Sequence, residues 1–396
     1  MAPAASRQAA AAAATVARLQ RARRPTLPLY LAAAYTLLVI YASLHPFSGW
    51  RDTGAPITAF LFAAWPRYWT GFDLVTNVLA YLPLGFLWVP TLQHGRGRLP
   101  AAVLATALCF ALSLSMETLQ NFLPSRVASN LDLATNSLGG LFGALAGARW
   151  GALLLDGGRL HTLRTRLVGD GAMADAGLVL LGLWLVTQLN PEILLFGNGD
   201  LRSLLGFLGV PGPLPYTAQD FSWVEAGVVA TNTLATGLFA GCLLKIGRRQ
   251  LAVLLLLVAL AVKSLSMMLL MDPASGWSWV TPGSVAGLGV GGTLWLAASF
   301  LPSPARQVLA VLALAAATAL VNLAPENPYL VDMLQLWQQG HFLNFNGLTR
   351  IISALWPFLA LPWLIMLRQK PPAPQPPSRG RGVTAARNAR RLLEKK

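Results

Sequence analysis

The chain has 396 residues, of which 55% are hydrophobic and only 11% are charged. Soluble globular proteins carry about 25% charged residues, so this composition excludes an ordinary soluble enzyme or binding domain. The formal net charge is +15, but the basic residues lie at the two ends and in alternate short loops, which argues against the basic face of a nucleic-acid-binding protein. We predict an all-α, polytopic helical membrane protein without a nucleic-acid partner.

Apolar runs of about 20 residues, the length that crosses a bilayer as a helix, begin after an Ala- and Arg-rich N-terminal arm. About ten spans are predicted, at 28–47, 73–92, 99–122, 131–154, 174–195, 222–244, 250–271, 283–301, 305–323 and 348–367. Two shorter stretches, 55–66 and 201–213, are predicted to lie at the membrane interface. The domains predicted from this order are a basic arm at 1–27, a four-helix membrane domain at 28–155, a six-helix membrane domain at 156–370, and a Pro-rich, then basic tail at 371–396.

Arginine and lysine alternate between the loops along the chain. The N-terminal arm, the loops after the second, fourth, sixth and eighth spans, and the tail hold most of them, whereas each intervening loop holds two at most. Cytoplasmic loops are enriched in Lys and Arg. The pattern therefore predicts a multi-pass protein of the inner (plasma) membrane with both termini cytoplasmic.

Under this topology, the polar residues of the first spans gather at their extracytoplasmic ends. They are spaced so that each pair shares a helix face: Asp73 with Asn77, Glu117 with Gln120, and Asp132 with Asn136. Polar groups within a membrane are costly unless they meet a partner or a wet cavity, so we expect the three faces to converge. Arg126, in the short loop between the third and fourth spans, is the expected counter-charge.

The segment from Tyr41 to Gly147 resembles the VanZ-like family. The motifs that carry the resemblance are Ser43-Leu-His-Pro-Phe47, Trp50-Arg51-Asp52, Asp73-x-x-x-Asn77, Leu82-Pro-Leu-Gly-Phe86, Ser115-Met-Glu-Thr-Leu-Gln120, Arg126 and Asp132-Leu-x-x-Asn136 with Gly139, Gly140 and Gly143. The resemblance implies a four-helix membrane domain and a link with low-level resistance to teicoplanin, a lipophilic glycopeptide. It leaves the six later spans without an assigned role.

Three functions stay open for this polar end. The first is binding of a membrane lipid or lipid-linked glycan headgroup, by a set of residues that comprises Arg51, Asp73, Asn77, Glu117, Gln120, Arg126, Asp132 and Asn136, with Arg350 as a further phosphate contact. The second is an enzyme acting on a lipid-linked phosphoryl or glycosyl group, with Glu117, Asp132 or His45 as acid or base. The third is a transporter, because the segment 73–79 matches 132–138 at five of seven positions and transporters are often built from repeats.

A purely structural interpretation of the same residues also stays open. Asp73 and Asp132 stand where helix N-caps belong, and Asn77 and Asn136 suit hydrogen bonds between helices. No metal-ligand spacing is present, and no cofactor is expected. In the second half, Lys263 lies within the seventh span, where an acidic partner such as Glu225 or Asp272 is expected.

Overall fold

The computed structural model describes residues 26–367, apart from 46, 53, 55, 67–68, 157–158, 170, 203–204, 206–207, 209–217, 272 and 325–338. Across the described residues the chain is helical and contains no β-strand. The prediction of an all-α protein is therefore confirmed. The predicted basic arm and basic tail lie outside the described residues.

The described residues of the first half form six α-helices. They are α1 (Thr26–Leu44), the short α2 (Ala59–Phe62), α3 (Gly71–Leu92), α4 (Arg98–Gln120), α5 (Asn130–Ala146) and α6 (Arg159–Leu167), with a π-helical segment, Gly147–Asp156, between the last two. The second half contains α7 (Ala172–Thr187), α8 (Ala218–Leu243), α9 (Arg248–Leu270), a 3-10 turn (Pro273–Trp277), α10 (Pro282–Ala298), α11 (Ser303–Leu323) and α12 (Gln339–Met366).

Each of the ten predicted spans coincides with a helix, but the helices differ in length. Within the residues that the structure describes, seven helices are long and apolar enough to cross a membrane. The count reaches eight if α6 and α7, which meet at a bend of 95°, form one broken span. The predicted spans 131–154 and 283–301 correspond to α5 and α10, whose α-helical parts have 17 residues each. The chain is thus a multi-pass membrane protein by the length and composition of its helices.

Helices α3 and α5 cross at unusually close range because glycines line their contact. A Cβ atom added at Gly139 would lie 2.3 Å from the Val78 carbonyl oxygen, and one at Gly143 would lie 2.0 Å from that of Leu82. Small residues spaced four apart let membrane helices approach to backbone contact. This crossing fixes the relative position of the two helices that carry the repeated Asp-x-x-x-Asn motif.

The second half is organised around α8, which is buried between α10 and α11. Indole groups join the outer helices across this core: Trp356 donates through Nε1 to the Leu180 carbonyl at 2.7 Å, and Trp363 donates to that of Met173 at 2.8 Å. A buried indole N–H needs an acceptor, and these carbonyls of α7 supply it. Helix α12 is thereby fixed against α7.

Lys263 of α9 is fully enclosed and binds backbone carbonyls beyond the end of α7. Its Nζ donates to Asn190 at 2.6 Å and to Ile193 at 2.7 Å. The expected partner Glu225 instead accepts a hydrogen bond from Thr281 Oγ1 at 2.6 Å, and Asp272 lies outside the described residues. The lysine therefore holds an irregular turn in place, because the carbonyls that follow a helix end lack partners within the helix.

The loops fall at two opposite ends of the helices. At one end, the Lys245 backbone N–H donates to the Leu167 carbonyl at 2.6 Å, which brings the basic loop after α8 to the end of α6. At the other end, the backbone of Gly347 in α12 lies against the His45 ring, just after α1. Each end of the molecule therefore contains loops from both halves of the chain, in agreement with the alternation of basic loops. The side of the membrane that each end faces stays a prediction.

Candidate functional site

Glu117 is at the end of α4 and is one of the most enclosed charged residues in the first half, with 2% of its surface exposed. Its Oε2 accepts a hydrogen bond from the Ser129 backbone N–H at 2.8 Å. Ser129 is itself the N-cap of α5, because its Oγ accepts from the backbone N–H groups of Leu131 and Asp132 at 3.2 Å each. Glu117 therefore joins the end of α4 to the start of α5.

Two further hydrogen bonds connect the polar faces of α3, α4 and α5. Asn77 Nδ2 donates to Asp132 Oδ1 at 3.0 Å, and Asn136 Nδ2 donates to Ser113 Oγ at 3.0 Å. These five residues, Asn77, Ser113, Glu117, Asp132 and Asn136, form what we call the Glu117 cluster. The structure thus brings together the acid and amide residues that the sequence places on three separate helices.

The Glu117 cluster has more hydrogen-bonding capacity than the described residues use. Glu117 Oε1 and Asp132 Oδ2 have no hydrogen-bond partner among them, and the same is true of the buried Asn136 Oδ1. An unsatisfied buried polar group costs about 1–3 kcal/mol. Such groups at one end of a membrane domain indicate a binding site. Hydroxyl or ammonium groups of a bound molecule would donate the missing hydrogen bonds.

Asp73 is used differently from Asp132, although the two occupy equivalent positions in the repeat. Asp73 is exposed and forms a capping box with Thr70: its Oδ2 accepts from the Thr70 backbone N–H at 3.0 Å, and its own N–H donates to the Thr70 hydroxyl at 3.1 Å. For Asp73 the geometry therefore supports helix capping. Its carboxylate acts on the cluster only as a neighbouring negative charge near Asp132.

Gln120 and Arg126 both bind the C-terminal end of α1. Gln120 Nε2 donates to the Ser43 carbonyl at 2.9 Å, and Arg126 Nη2 donates to the carbonyls of Ala42 and His45 at 3.0 and 3.1 Å. The last carbonyls of a helix lack partners within it, so both side chains satisfy them. Arg126 acts on Glu117 through its charge rather than through a direct ion pair.

Arg126 still has donors to offer. A guanidinium carries five N–H donors, and its Nε and Nη1 have no hydrogen-bond partner among the described residues. Burial lowers the pKa of Arg126, while the charge of Glu117 opposes that shift. The exposed side chain of Arg51 lies nearby, because the Arg51 backbone N–H donates to the Phe122 carbonyl at 3.0 Å.

His45 lies at the junction of the two halves. Its Nδ1 is 2.7 Å from the Tyr41 hydroxyl, and a Cβ added at Gly347 would lie 2.8 Å from Nε2. Burial, and secondly the charge of Arg126, lowers the pKa of His45. The imidazole is thus held between α1 and α12 rather than directed at the Glu117 cluster.

Arg350 of α12 adds a cationic side chain at the same end. It is exposed, and its charge acts on Tyr41 and on Asp200. Burial alone would raise the pKa of Asp200, but its hydrogen bonds and ion pair with Arg202, together with Arg350, lower it. Arg350 is therefore available at the surface while Asp200 is already paired.

Large aromatic side chains lie exposed around this end. The segment predicted to be interfacial contains α2, followed by Trp65 and Trp69, of which 69% and 52% are exposed, and Phe62 is 88% exposed. Asn130 Nδ2 donates to the Ala63 carbonyl at 2.7 Å and so fixes this segment to the start of α5. Tryptophan is enriched at membrane–water interfaces. We call Trp50, Phe62, Trp65 and Trp69 the aromatic collar.

Three residues in or beside the Glu117 cluster were not identified from the sequence: Ser113, which belongs to it, and its neighbours Tyr81 and Ser129. Ser113 stands four residues before Glu117, and Tyr81 stands four residues after Asn77, so each lies on the face already identified. Ser129 stands three residues before Asp132, as an N-cap does. No group of three or more potential metal ligands occurs among the described residues.

Comparison with known proteins bears on the first half of the chain. Residues 20–150 match the model of the VanZ/LLP1 family, which confirms the resemblance for the domain that contains the Glu117 cluster. No curated protein and no solved structure matches the chain. The helices after residue 150 lie outside the matched region.

Proposed function

We propose that the VanZ-like part of the chain, where residues 20–150 match the VanZ/LLP1 family model, binds the headgroup of a membrane lipid or a lipid-linked glycan at the extracytoplasmic surface. The observation that carries the proposal is the convergence of Glu117, Asp132 and Asn136 with oxygen atoms that lack hydrogen-bond partners among the described residues. These oxygens accept from hydroxyl, amide or ammonium groups of a headgroup. The free donors of Arg126 suit its phosphate.

The surroundings of the cluster support a ligand that comes from the membrane. The aromatic collar lies beside the cluster, and amphipathic aromatic rings favour the headgroup level of a bilayer. A lipid whose chains remain in the membrane could place its headgroup between the collar and the cluster without leaving the bilayer. Arg51 and Arg350, both exposed at this end, add positive charge for an anionic headgroup.

An enzyme on the same cluster is the second candidate. It is favoured by two carboxylates, Glu117 and Asp132, which interact electrostatically at one end of the membrane domain. Such a pair can divide acid and base roles. The position of His45, enclosed by Tyr41 and Gly347, makes it a weaker candidate for the base.

Native mass spectrometry of the purified full chain would test the proposal. We expect co-isolated lipid on the wild type and at least a several-fold lower lipid occupancy for Glu117→Gln and for Arg126→Gln. Asp52→Asn is the matched control, because Asp52 is exposed and its side chain accepts a local hydrogen bond from the Gly54 backbone N–H. Equal lipid occupancy in all four proteins would contradict headgroup binding.

The same samples distinguish the alternatives. If chromatography shows that the wild type converts the co-isolated lipid and Glu117→Gln does not, the cluster is a catalytic site. Gradient-dependent uptake into proteoliposomes would instead support a transporter. The link with cell-envelope function and teicoplanin resistance that the family resemblance implies would be tested by comparing the susceptibility of cells that carry wild type or Glu117→Gln.

A further inference from the structure

A cavity of about 310 Å³ lies at the end of the molecule opposite the Glu117 cluster. It is enclosed by the C-terminal part of α8, the start of α9, the end of α10 and the start of α11. Its lining includes three arginines, Arg248, Arg249 and Arg306, together with Gly237, Gly241 and Trp295, and no acidic residue among the described residues that line it.

Glycines and one tryptophan create the cavity. The indole of Trp295 packs on Gly237, where an added Cβ would lie 2.4 Å from Cδ1, and Gly241, one turn further along α8, has no neighbour within 4 Å of the corresponding position. Side chains at these two positions would fill the space. The volume lies at the lower end of the range of about 300–1,000 Å³ that small-molecule sites occupy.

Arg306 is the most enclosed of the three arginines, and burial of an arginine is unexpected. Only 8% of its surface is exposed, and its buried Nε has no hydrogen-bond partner in the part of the chain that the structure describes. Its charged neighbours in the structure are Arg248 and Arg249, which repel it. A buried charge is costly unless it is paired, so an arginine that only marks the cytoplasmic side of the membrane would be expected in solvent.

The other two arginines are placed to share an anion with Arg306. Arg249 Nε donates to Ser299 Oγ at 2.9 Å, and its guanidinium carbon lies 3.8 Å from the centre of the Phe300 ring. These contacts orient the Arg249 guanidinium, and Arg248 stands exposed at the mouth of the cavity. Orienting a guanidinium in advance reduces the entropy lost when it binds an anion.

We propose that this cavity binds a phosphate group, carried either by an anionic lipid headgroup or by a soluble phosphorylated compound. Guanidinium groups bind phosphate through paired hydrogen bonds, and a dianionic or monoanionic phosphate would offset the repulsion among the three arginines. The site is separate from the Glu117 cluster and lies in the part of the chain beyond the VanZ/LLP1 match. It gives the additional helices a binding role.

The test measures the thermal stability of the full chain in detergent with added inorganic phosphate, and in nanodiscs that contain either phosphatidic acid or phosphatidylcholine. We expect one or both anionic probes to raise the unfolding temperature of the wild type. Inorganic phosphate is compared with sodium chloride at equal ionic strength, and phosphatidic acid is compared with phosphatidylcholine. The apparent affinity should fall about tenfold or more in Arg306→Gln. Arg166→Gln, which removes an exposed arginine of α6 outside the cavity, is the charge-matched control.

Each outcome has a fixed meaning. A response to phosphatidic acid alone identifies a lipid headgroup, a response to inorganic phosphate alone identifies a soluble ligand, and both support the shared phosphate chemistry. No response in the wild type, or an equal response in Arg306→Gln and Arg166→Gln, overturns the proposal. If Arg306→Gln does not fold, Arg248→Gln replaces it, because Arg248 is exposed; an affinity unchanged in that variant then overturns the proposal.

Discussion

The substitution Gly143→Ala tests the close crossing of α3 and α5 on which the Glu117 cluster depends. The added methyl would lie 2.0 Å from the Leu82 carbonyl oxygen and 3.0 Å from the Phe86 nitrogen, both backbone atoms. A carbon–oxygen contact is normally about 3.3 Å or longer, so the two backbones must separate locally by about 1.3 Å. The neighbouring contacts at Gly139 and Gly147 loosen with them.

The expected cost follows from that displacement. Overpacking a close contact costs about 1–3 kcal/mol, and the gain in helix propensity from replacing glycine by alanine offsets about 0.5–1 kcal/mol. A net loss of about 1–2 kcal/mol corresponds to a decrease in unfolding temperature of about 2–8 °C for a protein region of about 150–250 residues.

The assay is thermal unfolding of the purified protein in detergent, followed by tryptophan fluorescence. Gly289→Ala is the matched control, since Gly289 is also in a helix and a Cβ added there has no neighbour within 4 Å. We expect Gly289→Ala to unfold at or above the wild-type temperature and Gly143→Ala below it. Equal unfolding temperatures for the two variants would refute a glycine-dependent crossing.

Three further substitutions test other parts of the account. Lys263→Met removes the hydrogen bonds that Nζ donates to the carbonyls of Asn190 and Ile193 and should lower the unfolding temperature, whereas Lys245→Met, at an exposed lysine, should not. The folded-state pKa of His45 is lowered, so the loss of stability begins as the pH falls below about 6.5, the unfolded-state pKa, and continues down to the lower folded-state pKa. The decrease in unfolding temperature between pH 7.5 and 5.5 should therefore be smaller in His45→Gln. Replacing both Trp65 and Trp69 by Ala should reduce co-isolated lipid without lowering the unfolding temperature, because both are exposed.

Much of the fold follows from patterns along the chain, because membrane helices must satisfy their backbone hydrogen bonds internally. Apolar runs therefore predict where helices lie. Shared helix faces also predict that Asn77 and Asp132 meet, since neither has a local partner of its own. The sequence does not predict that α5 changes to a π-helix at Gly147, for which its residues give no clear signal.

Other contacts could not be predicted because a local or backbone partner competes with the expected one. Asp73 shares a helix face with Asn77, but Thr70 is three residues away and captures its carboxylate in a capping box. Arg126 and Lys263 were expected to pair with carboxylates, and both bind carbonyls at helix ends instead. Backbone carbonyls are the same in every residue, so the sequence does not show which of them will lie near a given cation.

The cationic cavity shows a related limit. Counting basic residues assigns Arg248, Arg249 and Arg306 to cytoplasmic loops, and that count contains no information on burial. Arg306 lines the same cavity as Gly237 and Gly241, whose lack of side chains leaves that space open. Two glycines spaced four apart, together with an arginine at a predicted helix start, are the signal that could have indicated the cavity.

The orientation of the Glu117 cluster is the claim on which headgroup binding depends, and it can be measured directly. In a background where Cys242 is replaced by serine, single cysteines would be introduced at Val127, which is 84% exposed beside the cluster, and at Ile246, which is 61% exposed at the opposite end. A membrane-impermeant thiol reagent added to intact cells should label the cysteine at position 127 and leave the one at 246 unlabelled until the membrane is opened. Labelling of position 246 but not 127 in intact cells would place the cluster at the cytoplasmic side of the membrane and contradict headgroup binding at the extracytoplasmic surface.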